Sequence, residues 1–195
     1  MIDERFVILG VFIFFLGSIG YFKETILGKV KPNKVTWFLW SLAPLIAFFA
    51  QIKQGVGIQS LLTFIVAFIP LIIFLASFVN KKSYWKIEKL DIICGSLSVL
   101  GLILWQITQV GNIAILLSIV ADFLAAFPTV IKSYKEPETE NYVIYFTNAI
   151  AALVTLLTIK VWSFEQFAFP LYIFLITLLI AVLLKFKIGM LFAKK

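Results

Sequence analysis

The sequence predicts an all-α membrane protein with seven transmembrane helices arranged three, one and three, the outer triplets being parallel repeats of one another. Three observations predict it. The 195 residues are 62% hydrophobic and only 14% charged, with a mean hydropathy of +1.06, against about 45–50% apolar and about 25% charged in soluble domains. Several apolar runs reach the roughly 20 residues that a helix needs to cross a bilayer, beyond the runs of about 10–14 expected of a buried soluble helix. The lysines gather in alternate connectors, and a shift of 105 positions lays the start of the chain on its end.

Seven apolar segments follow in order: Phe6–Leu27, Val35–Ile52, Gly57–Val79, Leu90–Thr108, Asn112–Tyr134, Tyr142–Ile159 and Phe164–Phe186. The residues before the first, Met1 to Arg5, begin with acids rather than a basic leader, and no small-residue cleavage site follows, so the first segment is expected to be a retained span. The connectors are short and polar. One side of the expected bilayer then holds only Arg5, Lys53 and Lys160. The other holds the remaining lysines from Lys23 to Lys195, and together they account for all 17 basic residues. The positive-inside rule puts the amino terminus outside and the carboxyl terminus in the cytoplasm. Lys194 and Lys195 are expected at anionic headgroups.

The 105-residue shift puts Pro32 on Pro137, Phe22 on Phe127, Ile26 on Ile131, Ala47 on Ala152, Trp37 on Tyr142 and Trp40 on Tyr145 without a gap. The expected divisions are 1–80 for the first three-helix repeat, 81–111 for a linker helix that restores orientation, and 112–195 for the second repeat.

Composition also excludes. There is no histidine, and Cys94 is the single cysteine, so no intramolecular disulfide and no metal site of ordinary ligand spacing can be written, and no cofactor is expected. The net charge of +7 comes from lysines scattered in loops, not from an arginine-rich face, so nucleic acid is not an expected partner. Asp91 and Asp122 are two carboxylates in or near spans, but neither lies in a GxGD sequence, and there is no phosphate-cradling glycine loop. The chain is not expected to be an enzyme. The expected partners are a small solute and the lipid bilayer, in a compact multi-pass build that suits a prokaryotic plasma membrane.

The positions that could carry chemistry concentrate in Val120–Asn148. Asp122 sits near the middle of the fifth span, where an acid costs about 2.5–3.5 kcal/mol on insertion scales. It must be paired, wetted or protonated, either as a solute-facing carboxylate or as a hydrogen bond that staples helices. Ser118, Asp122, Ala125, Ala126 and Thr129 share one helical face of small and polar groups, which either lines a cavity or lets another helix approach. Gly10, Gly17, Tyr21 and Glu24 make the matching face of the first span. Asn148, with Tyr145 on the same side, offers both donors and acceptors. Trp37, at the start of its span, reads as an interface-belt residue, and Trp40, one turn deeper, as a cavity wall. Pro44 and Pro128 interrupt spans and are candidate hinges. The turn from Lys132 to Glu140 mixes two lysines with three glutamates and reads as a solvated connector, with a cytoplasmic gate or partner site as the other reading.

FPTVIKSYKEPETENYVIYF (Phe127–Phe146) resembles the PQ-loop motif shared by the SWEET and SemiSWEET sugar transporters, the KDEL receptor and lysosomal PQ-loop transporters, with Pro128-Thr129 standing where Pro-Gln would be. In the first repeat Lys23-Glu24 stand there instead. Trp37-x-x-Trp40 is similar to the tryptophan pair of the PnuC vitamin transporters, although Pro44 occupies the place of their following Asn or Asp. The resemblance implies a SWEET-like three-one-three fold and a facilitator or proton-linked transporter, of a sugar first and a nucleoside-like vitamin second. A non-transporting receptor on the same fold is a further alternative. It also implies a central pocket holding an asparagine and an aromatic residue, so Asp122, Asn148, Trp40, Tyr145 and Ser118 are the expected substrate-binding set.

Overall fold

The computed structural model describes residues 2–83, 85–108 and 111–192. Lys194 and Lys195 lie outside the described residues. Its helices are α1 (Phe6–Leu27), α2 (Lys34–Lys53), α3 (Ser60–Ala76), α4 (Lys89–Thr108), α5 (Gly111–Lys135), α6 (Tyr142–Thr158), α7 (Phe164–Phe186) and a short α8 (Ile188–Phe192), with a 3-10 turn at Pro137–Thr139. Four of them, α1, α2, α5 and α7, are long and apolar enough to cross a membrane by length and composition. α3 and α6 are apolar but 17 residues long, about 25 Å at 1.5 Å per residue, somewhat short of a roughly 30 Å hydrocarbon core.

The sequence places the third segment's start at Gly57, whereas the helix begins at Ser60, because Gly57–Gln59 turns first. The Gly57 carbonyl accepts from both the backbone N–H and the hydroxyl of Ser60. α6 likewise starts at Tyr142, after the 3-10 turn, with Asn141 as its cap: the Asn141 side chain accepts from the Val143 N–H and donates to Glu24 at 2.6 Å. Shifted by 105, α1, α2 and α3 would cover 111–132, 139–158 and 165–181, close to the observed α5, α6 and α7.

Packing follows a matched order. α3 lies between α1 and α2, whose backbones stay apart, and α7 lies between α5 and α6 in the same way. The two triplets meet where α1 packs on α6 and α2 on α5, while α4 leans on α5 and more lightly on α2. The connectors sort to two ends. At one, the Ile2 N–H donates to Leu157 O, Glu4 stands 3.9 Å from Lys160, and Gln51 donates to Glu165 O. At the other, the Lys31 N–H donates to Thr139 O, Asn80 to Ile26 O, Ser83 to Thr25 O, and Lys187 pairs with Glu138. This second end carries the lysine-rich connectors.

The surface is apolar where a soluble protein's would be polar. α1 turns Ile8, Leu9, Phe12, Phe15 and Leu16 outward, and Asp122, Asn148 and a set of threonines lie inside. That is the distribution expected when hydrocarbon, not water, surrounds the helices. The glycine face of α1 serves close approach: Gly10 abuts Ala151, Gly17 abuts Thr147, and Tyr21 and Glu24 bond to Glu140 and Asn141. α1 and α6 therefore run antiparallel in contact over most of their length.

Asn33 caps α2 by accepting from the Val35 and Thr36 N–H groups, and it donates to buried Asp91 at 2.5 Å. Asp91, expected at a span edge, is buried because this bond and the Glu88 N–H at 2.6 Å absorb its oxygens. Pro44 and Pro128 lie inside α2 and α5. In the turn before Pro128, the Thr36 hydroxyl donates to Ala125 O at 2.8 Å and ties α2 to α5.

Thr147 is held by its own bonds to Val143 O and Ile144 O, and a methyl at Gly17 would stand 2.7 Å from its Cβ. Gly17→Ala therefore lowers the thermal midpoint in detergent by about 1–3 kcal/mol of stability. Gly20→Ala, with nothing within 4 Å, does not lower it.

Candidate functional site

A cavity lined by buried residues of α1, α2, α3, α5, α6 and α7 lies between the two triplets. Asp122 comes from mid-α5, Asn148 and Tyr145 from α6, Trp37 and Trp40 from α2, and Phe14 from α1. Its volume is about 30 Å³, space on the scale of a single water. No lysine or arginine lines it.

Its polar atoms are poorly satisfied from within the protein. The Tyr172 hydroxyl on α7 donates to Asp122 Oδ2 at 2.6 Å, while Asp122 Oδ1, Asn148 Oδ1, Trp37 Nε1 and Trp40 Nε1 are buried without a hydrogen-bond partner. Buried polar atoms of this kind cost about 1–3 kcal/mol each when left unpaired. Two are indole donors and two are acceptors, so their needs match a solute that both accepts and donates. Asp122 divides the two roles foreseen for it: one oxygen staples α5 to α7 and the other remains unpaired.

Of the substrate-binding set read from sequence, the cavity brings together Asp122, Asn148, Trp40 and Tyr145. Ser118, one turn before Asp122, is buried but lies outside the cavity wall. Trp37 is corrected from a belt residue to a cavity wall. It is only 2% exposed, because its face of α2 turns into the bundle, against Tyr21 and the cavity. Its ring lies 5.0 Å from Tyr21 and 5.3 Å from Trp40, and Trp40 lies 6.2 Å from Tyr145. These four rings form a continuous aromatic row from α1 through α2 to α6.

The turn from Lys132 to Glu140 is corrected more deeply. Lys135, Glu136 and Glu138 are exposed as expected, but the Lys132 and Glu140 side chains at its two ends pair at 2.6 Å and are 1% and 0% exposed. Glu140 Oε2 accepts from Tyr21 at 2.7 Å and from Tyr145 at 3.1 Å. Lys132 also donates to Lys31 O, and its ammonium lies 4.6 Å from the centre of the Trp85 ring. Burial is sustained because both partners are fully engaged, a condition without which such a pair costs more than it returns. The sequence carried one signal for it. The face of Asp122, Ala125 and Thr129, carried three residues further, reaches Lys132. Tyr172 and Phe14 carried no such signal.

No family model, curated protein or solved structure matches the chain.

Because the Tyr172 hydroxyl is the one side-chain donor on Asp122 among the described residues, Tyr172→Phe lowers stability by about 1–3 kcal/mol in detergent melting. Ser118→Ala removes a hydroxyl that has no partner and leaves the midpoint unchanged or higher.

Proposed function

We propose that the chain is a membrane transporter of a small polar solute, a sugar in the first place, working by alternating access between two three-helix bundles. The observation that carries this reading is the convergence of four unpaired buried polar atoms and a row of aromatic rings on one cavity between the triplets. Aromatic faces stack on sugar rings, and a hydroxyl both donates and accepts, so one polyol meets the indole N–H groups and the Asp122 and Asn148 oxygens together. In this reading Asp122, Asn148, Trp40 and Tyr145 contact the solute, with Trp37 beside them.

The matched helix spacing and packing order of α1–α3 and α5–α7 support two parallel repeats joined by α4 as a linker span, seven crossings in all. The gathering of lysines at one end supports an outside amino terminus and a cytoplasmic carboxyl terminus in a plasma membrane, most simply a prokaryotic one. The resemblance of Phe127–Phe146 to the PQ-loop turn adds to the sugar reading. A nucleoside-like vitamin is the second reading, favoured by the two tryptophans on the cavity wall, since a heterocycle stacks on them as well as a sugar does. Cavity volume sets a condition on both. A space of about 30 Å³ is far below the roughly 300–1,000 Å³ of solute pockets, so the bundles must part to load.

Purified protein in proteoliposomes is expected to take up a member of a panel of sugars, nucleosides and amino acids. Asp122→Asn and Asn148→Ala each lower that uptake about tenfold or more, the effect of one lost hydrogen bond to a buried group. If the wild type moves nothing and both variants bind every panel member as it does, the cavity is not a solute site. Uptake that changes between neutral and mildly acidic pH assigns proton linkage, and a flat profile assigns a facilitator.

A further inference from the structure

The closed cavity raises the question of what holds it shut. Two of its aromatic neighbours are tied to a single carboxylate. Tyr145, whose ring forms part of the wall, donates to Glu140 Oε2, and so does Tyr21, whose ring packs on Trp37. Glu140 in turn holds Lys132, and Lys132 reaches across to the main-chain carbonyl of Lys31.

These partners straddle the seam. Tyr21 and Lys31 belong to α1 and the connector after it, whereas Lys132, Glu140 and Tyr145 belong to α5, the turn and α6. Two more bonds cross at the same end, Lys31 N–H to Thr139 O and Asn141 to Glu24. The opposite end has no buried ion pair among the described residues: two hydrogen bonds cross there, Ile2 N–H to Leu157 O and Gln51 to Glu165 O, and its ion pair, Glu4–Lys160, spans 3.9 Å with side chains 52% and 66% exposed, a screened contact of little strength.

We propose that Lys132, Glu140, Tyr21 and Tyr145 form the gate that closes the cavity toward the lysine-rich end, and that a solute operates it through Tyr145. This rests on the transport reading and adds to it which end is locked and by what. A solute large enough to displace the Tyr145 ring withdraws its hydroxyl from Glu140. The carboxylate then loses one of the donors that make its burial tolerable, and the balance shifts toward the parted state. Parting the triplets at this end exposes Lys132 and Glu140 to water, which solvates each of them, so the open state is not left with an unpaired buried charge. Such a pair gives two discrete states instead of a graded one.

The test needs no solute, so it can fail separately from the uptake panel. The full chain carries Cys94→Ser together with Ile176→Cys, which places one thiol on the cavity wall. A membrane-impermeant methanethiosulfonate is applied to right-side-out and to inside-out vesicles of an expression host. Glu140→Gln, which keeps the shape and removes the charge, raises the labelling rate about tenfold or more from one face only. Tyr21→Phe, which keeps the ring on Trp37, gives a smaller rise from that same face and serves if Glu140→Gln does not fold. No rise from either face in variants that elute as monodisperse protein overturns the gate. An equal rise from both faces also overturns it, because that is general loosening of the bundle.

Discussion

The buried ion pair between Lys132 and Glu140 is the constraint on which the rest of the arrangement turns. Taking a carboxylate and an ammonium out of water costs several kcal/mol per ion, and the attraction between them offsets this only when their remaining hydrogen-bonding capacity is filled. Here it is filled by two tyrosine hydroxyls, a main-chain carbonyl and an aromatic face. Each of those groups must come from a different place in the chain. The pair therefore dictates that α1, the α1–α2 connector, α5, α6 and the segment bearing Trp85 all arrive at one end together.

The cavity takes its character from the same requirement. Tyr21 and Tyr145 point their hydroxyls toward Glu140 and so turn their rings along the row that Trp37 and Trp40 continue. Further up, Asp122 and Asn148 occupy positions that the 105-residue shift pairs with Gly17 and Ala43. Gly17 lets α6 approach, and Ala43 is buried without a polar group. One half thus supplies aromatic surface and close packing, and the other supplies the acid and the amide. A similar helix order in the two triplets carries two different sets of side chains around the cavity.

Much of the fold was legible because hydropathy and connector length depend on local composition. The seven apolar segments match helices to within a few residues, and the misplaced start at Gly57 reflects a turn that apolar residues do not signal. Asp122, Asn148, Trp40 and Tyr145 were legible for a different reason: polar or amphipathic groups inside long apolar runs stand out. What was hidden depends on contacts between distant segments. Tyr172 lies 50 residues from Asp122 and its span gives no hint of the bond. Lys132 and Glu140 were misread because a run rich in lysine and glutamate looks solvated on average, whereas burial is decided residue by residue. Trp37 was misread because proximity to a span's start was equated with proximity to lipid.

Lys31 enters the structure in an unusual capacity. Its N–H and its carbonyl both bond across the seam, while its side chain is exposed. What prepares that backbone is the next residue, Pro32, since a proline biases its predecessor toward an extended conformation in which both groups are presented to a neighbouring strand of chain. The identity of position 31 is thereby written at position 32. A side-chain scan would pass over residue 31 as silent, while only the substitution that deletes its N–H, proline itself, would reveal that the main chain there is a structural part of the closure.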